Sequence, residues 1–334
     1  MPFQIWNRRY TGSKYKLSNW ISQLIQKNCT GLSFCDLFAG TATVSYTMLD
    51  YFDKVYINDF LFSNEIIYRA FFEQKSYNTK KLESIKEYFN TLDLSKIRDN
   101  YISKSYGKKF FSEDDARLIG YIRGYIEKLR VNEKEKNILI ASLLYSLDKS
   151  ANTVGHYDAY IIKNQISNTF RFDLISPYKY SGKKIFITRQ DANIFAKKLK
   201  CDVVYIDPPY NSRQYSRFYH VLENVAKWEK PRLYGKACKP LPENMSEYCR
   251  NNAQHAFEDL INSLNCKYIV VSYNNTYNSK SSSSKNKIAL SAIKKILLKR
   301  GQVLVFEKPF KFFNAGKTSL ANHKEIVFIT KVCN

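Results

Sequence analysis

The stretch that decides the fold is CDVVYIDPPYNSRQYSRFYH, residues 201–220. An apolar run, Val203 to Ile206, ends in an acid, two prolines and a tyrosine. A short run rich in β-branched and aromatic residues reads as a buried strand. Proline has no N–H for a sheet ladder, so Pro208 and Pro209 must stand at the strand's exit. Each proline fixes its own φ, and Pro209 restricts Pro208 as well. The turn after Asp207 is therefore rigid. It holds the Asp207 carboxylate and nearby backbone carbonyls as fixed acceptors, with the ring of Tyr210 beside them. Rigid acceptors next to a stacking ring suit a planar, amino-bearing base. The bland alternative is an ordinary strand-ending Asp-Pro turn. The coincidence of four particular residues at one strand end weighs against it.

Working outward, the same pattern recurs. LSFCDLFAG (32–40), KVYINDF (54–60), KKIFITRQDA (183–192) and CKYIVVSYNN (266–275) each read as a strand with a polar or acidic exit. QVLVFEK (302–308) and KEIVFIT (324–330) close the chain and suit a final hairpin whose last strand is antiparallel. Helical spacing marks 16–27, 114–130, 135–152 and 288–299. Strands alternating with helices predict an α/β fold, a mostly parallel sheet covered on both faces. No internal repeat is visible, and SKSSSSKNK (279–287) is a short polar tract. Ligands of such sheets bind beyond the carboxyl ends of the strands. Asp36, Asp59, Asp207 and Ser272-Tyr273-Asn274 stand at those ends and should share one crevice.

Composition sets the bounds. The chain has 334 residues, 44% of them hydrophobic, enough for a substantial core. No continuous apolar run reaches about 18 residues, so no membrane span is expected. The opening MPFQIWNRRYTGSKYKL lacks an apolar signal core. The seven cysteines include no CxxC pair, which suits reduced thiols and a cytoplasmic protein, bacterial or of phage or viral origin. The four histidines show no zinc-motif spacing, so no metal site is expected. Lysine and arginine number 53 against 30 acids, a formal charge of +23. A long polyanion is the natural partner for that excess, with a lysine-rich coding background as the other source.

DLFAGTATVS (36–45) reads as a strand, a tight glycine turn at Gly40 and a helix. It is neither GxGxxG nor GxxxxGK[ST], so a dinucleotide or triphosphate is disfavoured, and with it a Rossmann oxidoreductase. Asp59, one strand further on, stands where an acid grips ribose hydroxyls. Arg213, Gln214 and Arg217 follow the DPPY turn and are candidates for phosphate contact. A solvated turn is the alternative. Ser272, Tyr273 and Asn274 sit where DNA could pass. Lys14 and the basic N-terminus are candidates for DNA or ligand contact.

DPPY, with DLFAGTA and YTGSKYKL, resembles the DNA adenine-N6 methyltransferases of the alpha (D12) class. DPPYNSRQYSRFYHVLENVAKWEKP (207–231) is similar to the FokI/NlaIII-type modification methylases. The resemblance runs from residue 8 to about 330 and is weakest over 64–180. It implies a Rossmann-like class I methyltransferase sheet, mostly parallel with the last strand antiparallel, and a mainly helical inserted recognition lobe. It implies S-adenosyl-L-methionine as cofactor, held by Tyr10, Gly12, Lys14, Asp36, Phe38, Ala39, Gly40, Thr41, Asp59, Asp191 and Ala192. It implies catalysis by Asp207, Pro208, Pro209 and Tyr210. Phe218 or Tyr219 would form the opposite wall of the base pocket, unless they are helix core.

On this reading residues 1–60 and 183–334 form the catalytic domain, and 61–182 the recognition lobe, with SANTVGHYDAYIIKN (150–164) as a candidate base reader. The substrate is double-stranded DNA, with DNA contacts from Lys14, Arg213, Gln214, Arg217, Ser272, Tyr273 and Asn274. A monomer or weak dimer is expected, with a cognate restriction endonuclease acting on the same site and CATG as a candidate for that site. The alternatives are a methyltransferase acting on RNA or another amino acceptor, and a non-catalytic DNA-binding relative.

Overall fold

The computed structural model describes residues 2–162, 165–275, 285–310 and 322–333. Most of the polar tract at 279–287 thus lies outside the described residues, as do residues 163 and 164 of the 150–164 stretch. The chain forms two compact units, one of Ser13–Phe60, Gly182–Tyr215 and Asn244–Asn334, the other of Met1–Gly12, Leu61–Ser181 and Ser216–Glu243.

The first unit is built on seven strands: β1 (Ser33–Asp36), β2 (Lys54–Asp59), β3 (Lys184–Arg189), β4 (Lys200–Ile206), β5 (Asn265–Asn274), β6 (Gly301–Pro309) and β7 (Lys324–Val332). Their order in the sheet is β3-β2-β1-β4-β5-β7-β6. Strands β3, β2, β1, β4 and β5 pair in parallel, and β7 is antiparallel to both its neighbours. The expected α/β sheet with one antiparallel strand is the one observed. Val203, Val204, Tyr205 and Ile206 of β4 are all buried, as parallel strands covered on both faces must be. Helices Ala253–Ser263 and Leu290–Leu298 cover one face, seating Phe257, Leu260, Ile261, Ile293 and Leu297 against Val204, Ile206, Ile269 and Val271. Each such side chain contributes about 1.5–3 kcal/mol on burial. Strand order reverses between β1 and β4, which puts the switch-point crevice beyond their carboxyl ends. Asp36 is the last residue of β1, and Asp207 directly follows β4.

The second unit is helical. Helix Glu133–Ser150 is buried on nearly every side from Asn137 to Asp148, as a helix inside a core must be. Arg9 explains why the N-terminal arm joins it. The Arg9 guanidinium donates to the carbonyls of Asp148, Ala151 and Thr153, satisfying carbonyls at and just beyond this helix's C-terminus where a cation is favoured. Glu223 does the reverse at the start of helix Phe62–Phe72. Its carboxylate accepts from the N–H groups of Phe62 (3.1 Å) and Ser63 (2.7 Å), where the N-cap residue Leu61 offers no side-chain acceptor. Lys134 closes the other end of that helix through the carbonyls of Arg69 and Ala70. Among the described residues no helix is long and apolar enough to cross a membrane.

Candidate active site

The rigid turn after β4 carries a largely buried ion pair. Lys14 Nζ lies 2.8 Å from Asp207 Oδ2, with side-chain exposures of 7% and 15%. The Tyr210 hydroxyl donates to Asp207 Oδ1 at 2.5 Å. Both carboxylate oxygens therefore face a donor from the protein itself. Burial raises the Asp207 pKa, while the Lys14 charge and the two hydrogen bonds pull it down, leaving it above the ordinary value. Burial opposes the charge on Lys14, but the fields of Asp207, Glu325 and Asp36 more than offset this and raise its pKa. The Lys14 ammonium also stands 5.1 Å from the centre of the Tyr210 ring. That ring leans on Tyr273 at 4.4 Å, and the Tyr210 carbonyl accepts from the Lys287 N–H at 2.7 Å. The tyrosine is thus held from both sides. A fixed carboxylate with a paired cation is a strong acceptor for an incoming amino group, which would have to replace one of the two resident donors.

The turn after β1 faces the same end of the sheet. Leu37 N–H donates to Tyr205 O at 3.1 Å and Ala39 N–H to Asn58 O at 2.9 Å, tying the turn to β4 and β2. Gly40 and Ala42 both adopt positive φ, 54° and 53°. For alanine that conformation costs about 1–2 kcal/mol, and such strain marks functional loops. The Gly40 N–H donates to Asp59 Oδ2 at 2.8 Å. Asp36 is buried, and its Oδ2 accepts from Ser45 Oγ at 2.7 Å, while its Oδ1 has no hydrogen-bond partner among the described residues. Burial pushes the Asp36 pKa up to about 7. The Phe38 ring meets Tyr248 edge-on at 5.0 Å, and Thr41 bonds Thr43 Oγ1 at 2.8 Å.

The remaining sequence candidates are distributed as follows. Asp191 caps helix Ala192–Ala196 by accepting from the N–H groups of Asn193 and Ile194. Arg213 lies on the turn after Pro209, its N–H bonded to Asn211 Oδ1. Gln214 is buried, and both ends of its amide are bonded to the backbone of Ser246. Ser272, Tyr273 and Asn274 are buried at 1%, 0% and 5% exposure, inside the unit rather than on its surface. Ser272 Oγ accepts from Tyr205 and the Asn274 side chain from Asn286. Tyr10, Gly12 and Arg217 belong to the helical unit. There Tyr10 stacks on Tyr219 at 4.7 Å, and Arg217 donates to the Pro240 carbonyl. Phe218 and Tyr219 are core side chains of that unit.

One residue escaped the sequence reading. Glu325, buried near the start of β7, acts electrostatically on Lys14, Asp207 and Tyr210. It pairs in register with Asn274 at the end of β5. Only the antiparallel direction of β7 brings its first acid to the carboxyl ends of the parallel strands. The signal available was the strand KEIVFIT with an acid at its start.

Residues 10–292 match the family profile of the D12 class N6 adenine-specific DNA methyltransferases. The chain belongs to this family. It is similar to the type II methyltransferase M.NlaIII of Neisseria lactamica, 29% identical over 94% of this chain and 95% of that protein. It is similar to the modification methylase StsI of Streptococcus sanguinis, 33% identical over 80% of this chain and 44% of that protein. It is also similar to the type II methyltransferase M.FokI of Planomicrobium okeanokoites, 28% identical over 97% of this chain and 52% of that protein. The chain thus spans almost all of M.NlaIII and about half of the other two. It is an adenine-specific DNA methyltransferase of the D12 class, and so works with a methyl donor on DNA.

Proposed function

We propose that this enzyme transfers a methyl group from S-adenosyl-L-methionine to N6 of an adenine flipped out of duplex DNA, as the modification half of a type II restriction–modification system. The observation that carries the reading is Asp207 directly after β4, with Lys14 on one carboxylate oxygen and Tyr210 on the other.

The residues present fit the cofactor. Asp36 Oδ1 is a buried carboxylate oxygen without a partner among the described residues, suited to a cationic ligand group. Beside it runs the strained turn of Phe38, Ala39, Gly40 and Thr41, with Asp59 at the end of β2 for ribose hydroxyls. Asp191, Ala192 and Lys14 complete the proposed set within the sheet unit. When bound, the cofactor supplies an electrophilic methyl group.

The N6 nitrogen of adenine is a poor nucleophile because its lone pair is delocalised into the ring. Asp207 and the Pro208 carbonyl would accept its two hydrogens and draw it toward tetrahedral geometry, freeing that lone pair. The Tyr210 hydroxyl would leave Oδ1 and its ring stack on the base, while Pro209 keeps the turn rigid. Lys14 would remain the counter-charge on Oδ2. As N6 becomes alkylated it sheds a proton, and Asp207, its pKa already raised by burial, is suited to hold it. Positioning and electrostatics carry the rate. Extruding the base costs a few kcal/mol of stacking and pairing, offset by contacts in the pocket. Arg213 is the proposed phosphate contact of the sheet unit. Gln214, Ser272, Tyr273 and Asn274 would act from beneath, holding the turn and strand that face the DNA. Residues 61–182 are the proposed recognition lobe and CATG the candidate site. We place the enzyme in the cytoplasm, as a monomer or weak dimer with a cognate endonuclease.

The test is transfer of label from S-adenosylmethionine to DNA from a methylation-free strain, followed by nucleoside analysis. Labelled N6-methyldeoxyadenosine is the expected product. Label in cytosine, or in RNA supplied beside the DNA, would overturn the reading.

A further inference from the structure

Just past the last helix of the Ser216–Glu243 segment, His220–Lys227, the chain leaves the helical core as an exposed loop, WEKPRLYGKACKPLPE (228–243). The loop is basic and aromatic, and it is pinned rather than free. Tyr234 and Lys239 exchange two backbone hydrogen bonds, 2.8 and 2.9 Å, around the turn Gly235–Cys238, itself closed by Cys238 N–H on Gly235 O at 3.1 Å. Gly235 and Cys238 take the positive φ values, 69° and 51°, that so tight a reversal requires. Both feet are anchored. The Tyr101 hydroxyl donates to the Pro231 carbonyl, and Arg217 donates to the Pro240 carbonyl, each at 2.6 Å. Cys238 is buried with Lys109 Nζ 2.9 Å from its sulfur, and Lys239 pairs with Asp158.

The tip, by contrast, is open among the described residues. A Cβ added at Gly235 would have no atom within 4 Å. Tyr234 is 46% exposed, with the Arg232 guanidinium 5.5 Å from its ring centre. Lys236 is exposed at the tip, and among the described residues no carboxylate pairs with Arg232 or Lys236. Loops with solvated charges are ordinary, but they are ordinarily mobile. Here the ordering entropy of the backbone is already met by partly buried anchors, so cations held on this frame bind a polyanion at lower cost.

We infer that the hairpin Tyr234–Lys239 is a DNA contact of this enzyme, with Arg232 and Lys236 on backbone phosphates and the Tyr234 ring packed against the duplex surface. Arg217 is then a positioning residue, setting one foot of the hairpin. This rests on the reading of duplex DNA as the substrate and adds a contact to it.

The test is the salt dependence of binding of the full chain to a short mixed-sequence duplex, with cofactor present. Each phosphate contact steepens the slope of log K against log salt by about 0.9. Arg232→Ala with Lys236→Ala should therefore flatten it by roughly 1.8. Restoring charge as Arg232→Lys with Lys236→Arg should recover the slope, and Tyr234→Ala should weaken binding without altering it. Thermal melting and cofactor binding should match the parent, since these side chains are exposed. An unchanged slope in the double variant overturns the inference while leaving the enzyme's assigned chemistry standing. A parent that binds no duplex at all overturns both.

Discussion

Lys14 Nζ lies 2.8 Å from Asp207 Oδ2, with Lys14 buried and the Asp207 side chain only 15% exposed. The relationship gives the carboxylate a fixed counter-charge at the strand exit where an amino group would be bound. It also sets the pH at which the carboxylate can accept a hydrogen.

Asp207 is pulled up by burial and held down by Lys14. Lys14→Met removes the opposing charge, so the Asp207 pKa should rise further. Protonated Asp207 is a weaker acceptor and can no longer take the proton that N6 sheds, so activity is lost as pH falls through its pKa. The acid limb of single-turnover methyl transfer should therefore move to higher pH in the variant, with activity partly recovered in alkaline buffer. An unmoved limb would mean that the ammonium does not tune Asp207.

Asp36 offers a second pH dependence of known sign. Its pKa in the free protein is raised to about 7. A cationic ligand group prefers the ionised form, so cofactor binding must displace a proton below that pH. Affinity for S-adenosylmethionine should weaken about tenfold per unit as pH falls below about 7, a consequence of linkage. Calorimetric titration from pH 5 to 8 checks this. Asp36→Asn should bind weakly with a flat profile. A flat profile in the parent would remove Asp36 from the cofactor site.

Much of this was legible in the sequence, and the rest was hidden for definite reasons. The strand ending in Ile206 was readable because a strand buried on both faces is an apolar run, and because Pro208 and Pro209 cannot continue a ladder. Asp36, Asp59 and Asp207 could be assigned to strand exits for the same reason. Lys14 was a candidate, yet its pairing with Asp207 was not foreseen, since nothing in local spacing links residues so far apart in the chain. Glu325 was missed because its place depends on the direction of β7. The helical unit reads in sequence as one block, 61–182. Met1–Gly12 and Ser216–Glu243 join it through contacts such as those of Arg9 and Glu223, side chains that cap its helices and leave no periodicity in the sequence.

Gly120 tests the packing of the helical unit. It lies within helix Glu113–Ile126, where Gly→Ala ordinarily stabilises by up to about 1 kcal/mol. Here the added Cβ would collide with the side chain of Asn100. Asn100 cannot yield cheaply. It caps helix Tyr101–Tyr106 through the N–H groups of Ile102 and Ser103, and donates to the Arg117 carbonyl. Losing such a cap costs about 0.5–2 kcal/mol, and the lost carbonyl bond adds about 1. Gly120→Ala should therefore destabilise by about 0.5–2 kcal/mol net of the propensity gain. Denaturant unfolding checks this, and a more stable variant would contradict the tight contact.

The most direct measurement compares the parent with Asp207→Asn, which keeps the shape of the side chain and removes its charge. Both are incubated with S-adenosylmethionine and unmethylated genomic DNA, and the modified bases are mapped by single-molecule sequencing, with DNA and cofactor binding measured alongside. The account predicts N6-methyladenine in one short motif for the parent. For Asp207→Asn it predicts a rate lower by about 10²–10³-fold or more with binding of both ligands retained. Parent-like methylation by Asp207→Asn would contradict the acceptor role of Asp207 on which the whole mechanism stands.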